Sequence, residues 1–316
     1  MIKSILVRIG IVLIGILVVI LGRGFFYYSG FYQAPPSKLP SYEYVAVPAA
    51  PSTEFSDVYE KGEGIILVDL AHDNAFDKEE LNVLILRLVS RGLTIKFFNP
   101  GDDLKRELLG KVEEEEPLVK EEEEPLGEEE EEPLVEEEEE LPRADAFIVV
   151  CPQWEFSKEE GETIDEFVNN GGKLLLIADP TRSSQINSIS LQFGLIFEAG
   201  YLYNMKENEI NYRNIFVAEF KETEITKNIE KIALYTAGSI SSADCGIAFV
   251  DQNTFSSLIE TRQKLSPIAQ TQESKVLAIY DLTFMTEPYN GILDNNQLIA
   301  NIADWLMFTA EGAGSK

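Results

Sequence analysis

Histidine occurs once in this 316-residue chain, as His72, and cysteine twice, as Cys151 and Cys245. One imidazole with scattered carboxylates is a thin ligand set for zinc. No GxxxxGK loop is present to cradle a phosphate, and no GxSxG elbow to expose a serine nucleophile. Basic residues are also scarce: 26 Lys and Arg stand against 55 Asp and Glu, a net charge of −29. That balance excludes nucleic acid as a partner, because phosphate binding needs clustered Lys and Arg. The N-terminal region holds no cysteine for a lipid anchor, and no small-residue cleavage pattern follows its apolar run.

The acidic charge is unevenly spread. Residues 112–141 hold 18 Glu and one Lys, 17 of the 29 net negative charges, which leaves −12 for the rest. Within "VEEEEPLVKEEEEPLGEEEEEPLVEEEEELP" (112–142), Pro117, Pro125 and Pro133 recur every eight residues. Glutamate favours helix, but proline at that interval breaks it and the like charges repel. Segments that short are not stable helices alone. The stretch reads as a disordered, extended insertion that serves as a solvated spacer, with a cation-binding or partner-binding tail as the alternative. It lacks the spaced Asp/Asn ligands and turn glycine of a dedicated calcium site.

What the chain has in abundance comes first in sequence. From Ile5 to Leu21 only Arg8 is charged, a run that spans a bilayer if Arg8 or Arg23 snorkels. Phe25, Phe26, Tyr27, Tyr28, Phe31 and Tyr32 follow, resembling an interfacial aromatic belt. Residues 1–32 therefore read as an uncleaved membrane anchor, with a signal peptide or a buried core helix as the alternatives. Lys3, Arg8 and the amino terminus precede the span, while Arg23 and Lys38 follow it. The bias favours a single-pass protein with its N-terminus inside and its large domain extracytoplasmic. Five prolines in residues 33–52 make 33–60 an extended stalk.

Residues 61–310, interrupted by the insertion, read as one α/β domain. "GIILVDLA" (64–71), "LTIKFFN" (93–99), "DAFIVVCP" (145–152) and "KLLLIAD" (173–179) read as buried strands. Helical spacing marks 77–92, with Leu81, Leu84, Ile85 and Leu88 on one side and Gly92 as a stop. A second helix covers 157–172. The starts "FDKEE" (76–80) and "FSKEE" (156–160) are both capping boxes: Asp77 or Ser157 accepts from the backbone three residues on, and Glu80 or Glu160 reaches back. Strands separated by helices imply parallel crossovers. The second half is richer in β-structure, with segments at 194–204, 214–220, 231–240, 246–251 and 275–282. A last helix at 294–308 places Leu298, Ile302, Trp305 and Leu306 on one face.

Such sheets bind ligands beyond the carboxyl ends of their strands, where strand order reverses. With the order 2-1-3-4, the loop "AHDN" (71–74) faces "CPQWE" (151–155), with "ADPTR" (178–182) beside them. The candidate ligand-binding residues are His72, Asp73, Asn74, Gln153, Trp154, Glu155, Asp179 and Arg182. A Cys151–His72 nucleophile pair is conceivable from adjacent loops. Cys151, however, precedes Pro152 with no glycine-flanked sharp turn, so a small buried residue is the preferred reading. A metal site would draw on His72 with Asp69, Asp73, Glu155 or Asp179. Arg182 near a helix start could bind an anion, but an ordinary Asp179–Arg182 turn contact is preferred. His72 itself reads as a turn residue that exchanges hydrogen bonds with Asp69, Asn74 or backbone. No catalytic residue, metal or cofactor is assigned.

The ordered set "DLAHDN", "PQWEFSKEE", "GGKLLLIADPTR", "FGLIFEAGYLYN" and "DLTFMTEPYNGILDNNQLIANIADWL" resembles a bacterial and archaeal family, the often membrane-anchored domain of unknown function 4350. That family is similar to the wider class I glutamine-amidotransferase-like group, which includes domains of gliding-motility, ABC-transporter auxiliary and intraflagellar-transport proteins. The resemblance spans residues 60–310 apart from the insertion. It implies a flavodoxin-like core and no known activity. True amidotransferases place a nucleophilic cysteine in a glycine-flanked elbow, with a later His-x-Glu pair; here no histidine follows residue 72. The resemblance thus implies a membrane-tethered, non-catalytic binding or scaffolding domain, auxiliary to a protein partner in a transporter or envelope complex. The alternative is a hydrolase or metal-dependent enzyme that uses the loops around His72, Glu155 and Asp179.

Overall fold

The computed structural model describes residues 2–28, 55–110, 143–260, 264–271 and 273–307. Most of the Pro-rich stalk and the whole of the Glu-rich insertion lie outside the described residues.

Helix α1 (Ile2–Tyr28) contains a 22-residue stretch, Ile5–Phe26, that is long and apolar enough to cross a membrane. An N-terminal signal sequence meets the same description.

In the domain, apolar runs bounded by glycine and helix caps become short strands. The four expected strands are β1 (Ile65–Asp69), β2 (Thr94–Phe98), β3 (Ala146–Val150) and β4 (Lys173–Ile177). The intervening helices are α2 (Asn82–Ser90), α3 (Leu104–Leu109) and α4 (Lys158–Asn169). Helix α5 (Asn187–Ser190) follows β4, and α6 (Asn295–Leu306) ends the described domain. Chain order then gives β5 (Leu195–Phe197), β6 (Leu202–Asn204), β7 (Asn214–Val217), β8 (Glu219–Phe220) and β9 (Ile232–Tyr235). The remaining strands are β10 (Ile240–Ser242), β11 (Gly246–Phe249), β12 (Thr254–Ser256), β13 (Ile268–Gln270) and β14 (Val276–Ile279).

Among the described residues, eight strands form one sheet in the order β2-β1-β3-β4-β14-β13-β11-β8. The first five run parallel, while β13, β11 and β8 pair antiparallel. The molecule is therefore a mixed α/β fold. Strand periodicity divides its core. Ile66, Val68, Ile148, Val150, Leu175 and Ile177 pack with α2 and α6 on one face. Leu67, Phe147, Val149, Leu174 and Leu176 pack with α3, α4 and α5 on the other.

Three features differ from the sequence reading. The apolar stretch 194–204 is two strands of different ladders, β5 with β10 and β6 with β12. Gly200 (φ +93°) turns the chain between them, and a Cβ there would meet the Ser257 hydroxyl at 2.7 Å. Helix α3 goes unmarked by periodicity because it is so short; Asp103 caps its start and left-handed Gly110 its end. Residues 55–59, stalk by composition, pack on the domain. Asp57 Oδ2 accepts from Arg87 at 2.6 Å and its Oδ1 from the fully buried Arg91 at 3.0 Å. The two guanidinium groups also lie over the Phe55 and Tyr59 rings.

Candidate functional site

The carboxyl ends of β1, β3, β4 and β14 carry the loops that matter. After β1, β4 and β14 the chain makes the same local turn. Asp69 Oδ1 accepts from Ala71 N at 3.1 Å, Asp179 Oδ1 from Thr181 N at 2.8 Å and Asp281 Oδ1 from Thr283 N at 2.8 Å. Each is an Asx turn, in which a carboxylate substitutes for the next turn of backbone. All three aspartates are buried. The "D-x-A/T" triplet after an apolar run is a signal the sequence reading did not use, and Asp281 was missed for that reason.

His72 sits inside the first of these turns and is buried. Its Nδ1 lies 2.9 Å and 3.0 Å from the two Asp69 oxygens. Its Nε2 lies 3.4 Å from Glu160 Oε1, and its ring stacks on Phe156 with centroids 3.7 Å apart. Burial works against its charge, but Asp69 and then Glu160 outweigh it and raise the pKa above 6.5. Asn74 completes the knot: its amide donates to Asp69 Oδ2 at 3.0 Å and to the Val150 carbonyl at 2.9 Å, and its Oδ1 accepts from His72 N at 3.2 Å. These are the turn contacts the residue types suggest. Glu160 and Phe156 were not anticipated as partners of His72, although the capping box already placed Glu160 at the start of α4.

The second loop is tied to the first through backbone. Gln153 N and Trp154 N both donate to the His72 carbonyl, at 2.9 Å and 3.1 Å, and Ala75 N donates to the Cys151 carbonyl at 2.9 Å. Cys151 is the small buried residue expected, with no glycine beside it, although its own backbone is left-handed at φ +42°. The turn does not expose it. The thiol is fully buried, and burial, reinforced by Asp179, pushes its pKa up to about 12. No hydrogen bond joins it to His72, whose two ring nitrogens face carboxylates.

The third loop brings Asp179 and Arg182. The preferred Asp179–Arg182 contact exists in the backbone, where Arg182 N donates to Asp179 O at 3.0 Å. The side chains part. Asp179 turns inward to Thr181 Oγ1 at 2.5 Å and, more loosely, to Leu282 N at 3.3 Å. The Arg182 guanidinium crosses to the Ala75 carbonyl at 2.7 Å and grips Glu80 with two bonds, at 2.7 Å and 2.5 Å. That fork holds the Glu80 carboxyl below its usual range. The two capping-box glutamates thus act alike. Oε2 of each closes its helix start, on Asp77 N or Ser157 N at 2.8 Å, while the carboxylate also meets a neighbouring loop, Glu80 through both oxygens on Arg182 and Glu160 through Oε1 beside His72.

What remains outward is a rim. Asp73 (φ +49°), Gln153 and Glu155 are exposed, Gln153 Nε2 reaches Asp73 Oδ2 at 3.4 Å, and Trp154 is 57% exposed. No hydrogen bond or ion pair joins Glu155 to His72 or Asp179. Among the described residues, no three His, Cys, Asp or Glu side chains are grouped to hold a metal ion.

No family model matches the chain, and no curated protein matches it. Solved structures are similar to it. The "mmIFT52 N-terminal domain" aligns with a TM-score of 0.56 at 12% identity, over 78% of this chain and 98% of that one. Alpha-L-fucosidase isoenzyme 2 from Paenibacillus thiaminolyticus aligns with a TM-score of 0.38 at 10% identity, over 78% of this chain and 32% of that one. A "thua-like protein" from Parabacteroides merdae gives 0.40 at 10% identity, over 78% and 90%. At these identities the first likeness concerns the fold alone, and the other two are too distant to argue from.

Proposed function

We propose that this chain is a membrane-tethered binding or scaffolding domain that works without catalysing a reaction. In this reading it is a relative of the domain of unknown function 4350, with a flavodoxin-like core. The N-terminal helix anchors it and the domain stands outside the cytoplasm, auxiliary to a transporter or envelope complex. One observation carries the reading: the charged groups behind the rim are spent on one another. His72 is held between Asp69 and Glu160, Arg182 by Glu80, and Asp179 by the 181 and 282 backbone. A general base needs a free nitrogen and a nucleophile beside it. A cysteine whose pKa is about 12 has almost no thiolate at neutral pH. The outward groups, Asp73, Gln153, Trp154 and Glu155, are those of a contact surface. The strand order β2-β1-β3-β4 supports the core assignment, with the switch between β1 and β3 beneath that surface.

The test places a photocrosslinking residue at position 154 in the full-length protein in its native membrane. Capture of one defined partner, weakened by Asp73→Ala and Glu155→Ala, is the expected result. The opposing result comes from a screen of ester, amide and phosphate substrates. Turnover by the wild type that a folded His72→Ala variant has lost makes the protein an enzyme.

A further inference from the structure

His72 is the chain's one histidine, and each of its ring nitrogens faces a carboxylate. A neutral imidazole has one N–H donor; an imidazolium has two. Without the second proton, one nitrogen presents a lone pair to an acceptor. Asp69 is fully buried and holds Nδ1 through both oxygens, so the N–H of a neutral ring stays there. The Nε2 lone pair then opposes Glu160 Oε1 at 3.4 Å. The charge on His72 therefore decides whether the β1 loop and the start of α4 attract or repel each other. The rim depends on that junction, since Gln153 N and Trp154 N hang on the His72 carbonyl and Phe156 lies against its ring.

We propose that His72 is a protonation latch for the rim: charged, it holds Asp69 and Glu160 together and fixes residues 153–155, and on losing its proton it keeps Asp69 and releases α4 and the rim. Asp69 faces the ring from β1 and Glu160 from α4, the 153–156 segment meets His72 with backbone N–H groups and the Phe156 ring, and the rim carboxylates Asp73 and Glu155 are exposed. The cation of the third loop, Arg182, is committed to Glu80 and the Ala75 carbonyl. The raised pKa of His72 agrees with this geometry. Any consequence for ligand binding rests on the reading of the rim given above; the latch does not.

A single histidine makes the experiment clean. In full-length protein in detergent micelles, the Cε1–H resonance reports the His72 titration with no other imidazole present. Trp154 emission is obtained as the difference between wild type and Trp154→Phe. The expected result is a His72 midpoint above 6.5 with a Trp154 step at that same midpoint. Glu160→Gln keeps an acceptor for Ser157 N–H, so the helix start survives, and it moves both midpoints down together. A His72 midpoint at or below 6.5, one that Glu160→Gln leaves in place, or a Trp154 signal that stays flat through the titration overturns the latch. No ligand enters these measurements, so their failure leaves the crosslinking test of the binding surface standing, and the reverse also holds.

Discussion

At the scale of single residues, side-chain chemistry was legible and pairing was not. The type and position of His72, Asn74 and Asp179 pointed to turns, and their bonds, His72 to Asp69, Asn74 Oδ1 from His72 N and Asp179 Oδ1 from Thr181 N, follow from local spacing. The partners 102 and 88 positions away, Glu80 for Arg182 and Glu160 for His72, depend on which loops the sheet order brings together. Two predictions belong here. Because the folded pKa of His72 is raised, its charge adds stability that is fully present below 6.5 and lost as pH rises through the folded value. The carboxyls of Asp57 and Glu80 titrate below their ordinary values, outside that window. Thermal unfolding of wild type and His72→Gln should therefore differ most below pH 6.5, and the gap should narrow as pH rises toward the part, about 1–3 kcal/mol, that the Asp69 donor contributes whether or not the ring is charged. A gap that widens with pH would reverse the assignment. The cysteines give the second. Cys151 is buried with its pKa pushed up to about 12, whereas Cys245 is half-buried. A disulfide reagent at pH 8 should modify one thiol per native chain, Cys245, and both after unfolding. Rapid modification of Cys151 in the native protein would mean that its loop opens.

At the scale of elements, long signals survived and short ones failed. Capping boxes at 77–80 and 157–160 and the apolar faces behind them placed α2 and α4 correctly, although the first turn before α2 is a 3-10 helix, Lys78–Leu81. The β-rich half was visible as composition, but its ladders were not. β12 and β13 have three residues each, too few to show a period, and their pairing with β6 and β14 is non-local or set by turns. Glycine marks one junction plainly. Gly92 ends α2 at φ +97°, and a Cβ there would lie 2.6 Å from the Gly62 carbonyl oxygen. That carbonyl belongs to backbone fixed by the bond from Gly62 N to Arg91 O, 2.8 Å, so it cannot simply step aside. Gly92→Ala should cost about 1–3 kcal/mol for the backbone conformation, with the clash in addition. Gly101, also at φ +97° but with open space around its Cβ position, is the control. Equal losses from the two alanine variants in a denaturant titration would remove the contact with Gly62 as a cause.

At the scale of the whole molecule, charge and connectivity meet at the insertion. The residues on either side of it are joined, since Ala144 N donates to Glu107 O at 2.9 Å and α3 packs with α4 across this corner. The chain thus leaves after Gly110 and returns at Arg143 to nearly the same place, at the opposite end of the strands from His72. A short link can span that gap without moving either end. Loop-closure entropy favours the shorter link only weakly, by about 0.6 kcal/mol per halving of its length. The larger effect is electrostatic: residues 112–141 carry 18 Glu and one Lys beside a domain that is itself acidic. Like charges oppose compaction, and salt screens them with a Debye length of about 10 Å at 0.1 M. Replacing residues 113–140 by a short Gly/Ser loop should therefore leave the fold intact and raise the thermal midpoint slightly at low salt. The difference from wild type should shrink as salt is added. His72 and Trp154 should report the same titration in both proteins, because their contacts lie at the other ends of the strands. A large loss of stability on replacement, undiminished by salt, would show that the glutamate segment packs on the domain and contributes to its core.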